Sequence, residues 1–237
     1  LWRTFKILKN ESPDLVMTVS LKPILLVGVA QFFVGNLKNI FCITGLGSIF
    51  TSANLKYKLL QKIVCILLRL FLKRRGNNVV VQNSDDMTFF SEELQVPNNK
   101  ISLIKGAGVD IYKFFPKREN KGEIVVSLPA RALKDKGVEE FVEVARQVNF
   151  GKKSAIFRLI GWPDSNNPNS ISVSQLENWN DEGIIEWVGR QTDMVSALQK
   201  SHIICFPSYR EGLPKALLEA CACAKPIVAF DVPGVRE

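Results

Sequence analysis

Short apolar runs alternate with stretches of helical period along the whole chain. The runs at 14–19, 39–43, 78–81 and 100–104 predict four strands. Apolar positions at helical spacing separate them, over about 22–34, 55–75 and 85–94. Residues 112–122 are rich in charge, carry Pro116, and read as a linker. The alternation then restarts, with strands at 123–128, 155–160, 184–187, 203–206 and 226–230 and helices at 136–148, 172–180, 193–199 and 214–223. Strand–helix repetition of this kind builds parallel sheets covered by helices on both faces. The expectation is an α/β protein of two Rossmann-like domains, 1–111 and 123–237, joined by that linker. Ligands of such sheets bind beyond the carboxyl ends of the strands. In the second block those ends carry residues 127–136, 161–164, 189–192, 207–214 and 231–234.

The chain has 237 residues, 46% hydrophobic and 23% charged, which is ordinary globular composition. It begins at Leu1 and ends shortly after Pro233-Gly234, and reads as a piece of a longer protein, incomplete at both ends. Net charge is +8, a balance that favours phosphate-bearing partners or simply solubility. The basic residues are dispersed and lack interleaved stacking aromatics, which argues against a nucleic-acid binder. Cys42, Cys65, Cys205, Cys221 and Cys223 are scattered among apolar runs and read as buried, reduced thiols of a cytoplasmic protein. His202 is the one histidine, opens an apolar run and reads as structural; no metal site is expected. The uncharged run 23–37 is shorter than the ~20 residues a membrane span needs and reads as a buried helix. The stretch 55–75 differs, because Lys58, Lys62, Arg69 and Lys73 fall on one helical face beside Ile63, Val64, Ile66, Leu67, Leu70 and Phe71. It reads as an interfacial helix on an anionic membrane surface or as a core helix with a solvated charged edge.

Chemistry concentrates in Ser208-Tyr-Arg-Glu-Gly-Leu-Pro-Lys-Ala-Leu-Leu-Glu219. Glu211 lies in a glycine-containing turn and Glu219 on the helix that follows, with Pro214 suited to the first helical position. The free amides of that helix start face the same loop and suit an anionic group. Upstream, Arg131 and Lys136 stand five residues apart in a loop that follows a strand and opens a helix. Together they can grip a diphosphate, the arginine as a fork and the lysine as a point charge. Asp85-Asp86 reads as an acidic pair at a helix start, and Arg210 as solvated or acceptor-facing. No Gly-x-Gly-x-x-Gly follows a strand, so a dinucleotide enzyme is disfavoured.

Taken together, residues 128–237 resemble the GT-B glycosyltransferases of retaining family 4. The matching segments are Pro129-Ala-Arg131-Ala-Leu, Lys136-Gly137, Phe206-Pro-Ser-Tyr-Arg-Glu211-Gly-Leu-Pro, Glu219-Ala220, Lys225-Pro-Ile-Val-Ala and Pro233-Gly-Val-Arg-Glu237. Ala130 and Ala224 stand where the family has glycine, while Gly161 and Gly189 match its strand-end glycines. The first block agrees more loosely through Val79–Asp86, Lys105–Asp110 and Thr44-Gly45-Leu46-Gly47. Thr44 replaces a histidine common among relatives, which argues against a histidine-dependent acceptor role, and the Thr-Gly-Leu-Gly form resembles the branch acting on polyprenyl-diphosphate-linked sugars.

The resemblance implies a transferase moving a sugar from a nucleotide-diphosphate sugar, a UDP-sugar, to a lipid-linked saccharide in bacterial surface glycan synthesis. It would retain anomeric configuration, need no cofactor or metal, and work in the cytoplasm on the inner membrane face. Glu211, Arg131 and Lys136 would be catalytic. Glu219, Gly212, Leu213, Pro214, Lys215, Ala216, Gly161 and Arg190 would bind the donor. Thr44, Gly45, Gly47, Gly108 and Asp110 would line the acceptor side. The alternative is a catalytically incomplete module that only binds nucleotide-sugar.

Overall fold

The computed structural model describes residues 1–35, 37–50, 54–118 and 121–237. Residues 119 and 120 of the expected linker lie outside the described residues. The contacts divide the chain into two compact units. The first comprises Leu1–Gly106, Arg210–Leu213 and Val232–Glu237, and the second Ala107–Tyr209 and Pro214–Asp231.

The first unit holds a sheet of four parallel strands in the order β1 (Leu15–Val19), β2 (Lys38–Ile43), β3 (Asn77–Val81) and β4 (Ile101–Leu103). Helices α1 (Trp2–Glu11), α2 (Leu21–Val34), α3 (Leu55–Lys73) and α4 (Ser84–Thr88) accompany it. Its core joins Phe41, Ile43, Val79 and Val81 of the sheet to Ile24, Val27 and Ala30 of α2 and to Val64, Leu68, Phe71 and Leu72 of α3. Helices α2 and α3 thus each bury a stripe at the spacing the sequence shows. A polar knot lies inside this core. The Asn77 side-chain amide donates to Gln31 Oε1 at 2.7 Å and to the Phe71 carbonyl at 2.8 Å, and Asn39 Nδ2 donates to the same Gln31 oxygen at 2.8 Å. All three side chains are fully buried, so each needs these partners.

The helix at 2–11 has no counterpart in the hydrophobic pattern, because among its residues only Leu8 is buried. The helix expected over 85–94 ends at Thr88 and continues as a wider π-type turn, Phe89–Glu93, closed by the Leu94 amide on the Phe89 carbonyl at 3.1 Å. That widening buries Phe90 completely while Phe89 meets Phe50 edge-on at 5.6 Å.

The second unit holds five parallel strands in the order β7-β6-β5-β8-β9. These are β5 (Val125–Pro129), β6 (Ile156–Ile160), β7 (Glu186–Gly189), β8 (Ile203–Phe206) and β9 (Ile227–Ala229). Its helices are α5 (Val138–Val148), α6 (Val173–Asp181), α7 (Met194–Gln199) and α8 (Lys215–Ala222). The chain winds outward from central β5 in both directions, which opens a crevice at the carboxyl ends where the winding reverses. β7 begins two residues later than its apolar run, because the amides of Ile184 and Ile185 both donate to the Trp179 carbonyl at the end of α6. Residues 110–114 are not slack chain. Asp110 Oδ1 accepts from the amides of Tyr112 and Lys113, and Phe114 is buried. The boundary between units therefore falls at 106/107, ahead of the charged stretch.

Candidate functional site

In the second unit, the carboxyl ends of β5, β6 and β7 surround an open cleft of about 840 Å³. Pro129, Ala130 and Arg131 line it from β5, Ile160 to Ser165 from β6, and Arg190 and Gln191 from β7. Three of the expected residues, Arg131, Gly161 and Arg190, therefore share one cavity. Gly161 has a steric reason to be glycine. A Cβ there would stand 1.8 Å from the Ala130 carbonyl oxygen, so the two strand-end loops pack backbone to backbone. Arg131 pairs with Asp164 at 3.0 Å while staying largely solvent-accessible. Sequence patterns miss Asp164, because 33 residues separate it from its partner. Lys136 sits half-buried at the end of the turn Lys134–Lys136 that leads into α5. It is not among the residues lining this cleft.

A second cleft of about 580 Å³ lies in the same unit. It brings together Gly108, Asp110, Lys113, Thr192, Lys215 and Glu219, and Met194 borders both cavities. Glu219 is mostly buried on α8, with Lys215 one turn earlier at 3.6 Å. Pro214 caps that helix instead of occupying its first turn, one residue earlier than the sequence implies. The first amides, on Lys215 and Ala216, have no carbonyl a turn earlier to bond. At the head of this loop the Tyr209 hydroxyl donates to Glu140, which with burial pushes the phenol up to about 12.

The turn bearing Glu211 belongs to the first unit, with Gly212 and Leu213, alongside Thr44, Gly45 and Gly47. Asn83, which caps α4, donates through Nδ2 to the Gly212 carbonyl at 2.8 Å and to Asp86 Oδ2 at 3.0 Å. Arg210 is not solvated. Its guanidinium meets the fully buried carboxylate of Asp86 and is itself only 18% exposed. Asp86 thus does more than start a helix. Gly212 has no room for a side chain, since a Cβ there would lie 2.3 Å from the Thr44 carbonyl oxygen. Farther along, Glu237 accepts from the Ser84 amide and pairs with Lys105 at 2.7 Å, which together hold its carboxyl down to about 2. Four of the residues expected at the donor therefore fall in different places. Arg131 and Glu219 line separate clefts of the second unit, Lys136 lies at the start of α5, and Glu211 lies in the first unit.

His202 is buried and accepts the Val125 amide through Nδ1 at 3.0 Å, a structural role. The five cysteines are unpaired, and Cys221 is exposed on α8 rather than buried. Among the described residues no group of three or more His, Cys, Asp or Glu is placed to hold a metal ion. No helix of the described residues is long and apolar enough to cross a membrane.

Residues 110–237 match the family model described as Glycosyl transferases group 1. The chain is 35% identical over 209 residues to the N,N'-diacetylbacillosaminyl-diphospho-undecaprenol alpha-1,3-N-acetylgalactosaminyltransferase of Campylobacter jejuni, covering 82% of this chain and 53% of that protein. It is 26% identical over 244 residues to the UDP-Gal:alpha-D-GlcNAc-diphosphoundecaprenol alpha-1,3-galactosyltransferase of Escherichia coli, covering 97% and 61%. The chain thus spans between half and two thirds of the length of these curated relatives. Among solved structures, the Anabaena HepE protein in complex with UDP and glucose superposes with a TM-score of 0.77 at 15% identity, over 98% of this chain and 63% of that one. Sucrose-phosphate synthase from Thermosynechococcus elongatus gives 0.77 at 18% identity, over 98% and 60%.

Proposed function

The chain belongs to the group 1 glycosyl transferases and has the GT-B fold, and we propose that it transfers a sugar from a UDP-sugar to a saccharide carried on a polyprenyl diphosphate. The observation that carries this reading is the cleft shared by Arg131, Gly161 and Arg190 at the carboxyl ends of β5, β6 and β7. Two guanidinium groups at strand ends suit a diphosphate, which gains charge as it leaves the sugar. The lipid-linked acceptor is supported by the Campylobacter and Escherichia relatives, whose names specify undecaprenyl-diphosphate sugars.

In this reading Arg131 and Arg190 hold the donor diphosphate, and Lys136, outside the cleft lining at the start of α5, adds positive charge that helps neutralise the leaving group. The first amides of α8 and the positive end of its dipole add to that field. Glu219 accepts hydrogen bonds from the ribose. Glu211 faces the donor sugar, orients its hydroxyls and eases positive charge at the anomeric carbon, and the reaction retains configuration. Protein cations do the work a metal does elsewhere, so neither metal nor further cofactor is required. Thr44, Gly45 and Gly47 face the acceptor.

In this reading the reaction runs at the inner face of the cytoplasmic membrane, and α3 is the element suited to that surface. Leu55, Leu59, Ile63, Ile66 and Leu70 are exposed along one side of it, beside the exposed Lys58, Lys62 and Lys73. Arg69 does not join that stripe, because it donates to the carbonyls of Glu93 and Leu94 at 2.7 and 3.1 Å.

Calorimetry with UDP and GDP, with and without EDTA, on the wild type, Arg131→Ala and Glu219→Ala tests the donor site. UDP binding that survives EDTA and weakens at least ten-fold in each variant is expected. No binding by the wild type, or equal binding by all three proteins, overturns the reading.

A further inference from the structure

Trp162 follows β6, and β6 lies between β5 and β7 in the sheet. Its loop therefore sits between the one that carries Arg131 and the one that carries Arg190, and all three residues line the larger cleft. Trp162 is 51% exposed. The ring is nevertheless fixed. Trp187 stacks against it with centroids 4.8 Å apart and planes 30° apart. Trp187 is in turn pinned by its indole N–H, which donates to the Gly161 carbonyl at 2.9 Å. The Trp162 carbonyl accepts from the Ala132 amide at 3.1 Å, and the ring passes 3.4 Å from the site a Cβ would occupy on Gly189. Backbone and ring are thus both held while half of the surface stays open to the cleft.

Resting on the nucleotide-sugar reading above, we propose that Trp162, backed by Trp187, is the platform on which the nucleobase of the donor stacks. A preorganised, neutral and electron-rich face suits a flat, polarised heterocycle, and every base offers such a face. The hydroxyls of the ribose and of the transferred sugar, on either side of the diphosphate, turn toward the neighbouring cleft. Asp110, Thr192, Lys215 and Glu219 line the neighbouring cleft and supply the acceptors and donors that hydroxyl groups require. The arginines flanking Trp162 take the phosphates. The larger cleft thereby divides into an aromatic half for the base and a cationic half for the diphosphate. Its volume of about 840 Å³ lies within the usual range of small-molecule sites.

The test titrates wild type, Trp162→Ala and Trp162→Phe with pyrophosphate, UDP and UDP-N-acetylgalactosamine, by calorimetry and by tryptophan emission. UDP affinity is expected to fall roughly ten-fold or more in the alanine variant and to recover largely in the phenylalanine variant. The UDP-sugar should lose the same factor as UDP, and pyrophosphate nothing. UDP, but not pyrophosphate, should quench the emission of the wild type, a readout that needs no variant to fold. Unchanged UDP affinity in Trp162→Ala, or absence of quenching, overturns the platform while leaving the donor site in place. A larger loss for the UDP-sugar than for UDP assigns the ring to the sugar and also overturns it. Failure of every ligand to bind the wild type brings down the nucleotide-sugar reading itself.

Discussion

Deleting the Arg210 guanidinium strands the carboxylate of Asp86. That carboxylate is fully buried, and Arg210 is its cationic partner in a pair only 18% exposed on the arginine side. Breaking a buried pair from one side costs about 3–5 kcal/mol, because the remaining charge has lost both water and partner. Two features place this case at the low end. Asn83 still donates to Asp86 Oδ2 at 3.0 Å, and the residual exposure of Arg210 already screens part of the attraction. Arg210→Ala is therefore expected to lose about 3 kcal/mol of stability. Combining it with Asp86→Ala removes the stranded charge, so the double variant should recover about 2 kcal/mol of the summed single losses. Urea denaturation of the four proteins of this cycle, followed by circular dichroism, measures the coupling. UDP affinity is expected to stay within about two-fold, because the cleft proposed for the nucleotide is lined by residues of the second unit. Losses that add to within about 0.5 kcal/mol would refute the idea that this pair holds the turn carrying Glu211.

Gly161→Ala places a Cβ 1.8 Å from the Ala130 oxygen, against ordinary contacts beyond about 3.4 Å, so the Ala130–Arg131 backbone must move. About 2–3 kcal/mol of stability and most of the UDP affinity are expected to go, by urea melts and calorimetry, and unchanged values of both would be decisive against it. Tyr209 should titrate near 12 by its phenolate absorbance, and that late step should vanish in Tyr209→Phe. Its folded value is raised, so the stability it contributes is complete below the ordinary value of 10.0 and is lost as pH rises toward 12. Conversely, if Tyr209→Phe leaves the alkaline part of the stability curve unchanged, the Glu140 contact is not energetically significant. Liposome flotation at two salt levels should show recovery with anionic lipid that falls in Lys58→Glu/Lys62→Glu. Equal recovery with neutral lipid removes the electrostatic role of α3.

The alternation of apolar runs with helical periods was enough to specify two parallel α/β blocks, because side-chain period follows from backbone geometry within a few residues. The same locality made Arg131 recognisable, since it falls just past a predicted strand end, whereas Gly161 and Arg190 entered through the family resemblance, and the winding carries all three to one edge. Helix α1 escaped the pattern because it buries little, and the π-type turn after Thr88 escaped because the room left for Phe90 decides it. Other features were decided only by the fold. Asp164 faces Arg131 from 33 residues away, and Asp86 faces Arg210 from 124 residues away. Trp187 backs Trp162 because neighbouring strands β6 and β7 set them side by side. The Glu211 turn belongs with the first unit, since Asn83 and the Thr44 backbone leave space for Gly212 and nothing larger. Periodicity describes what a residue does to its own segment. Buried charge pairing and steric fit depend on residues that meet only when the sheets have formed, and no local pattern encodes which those will be.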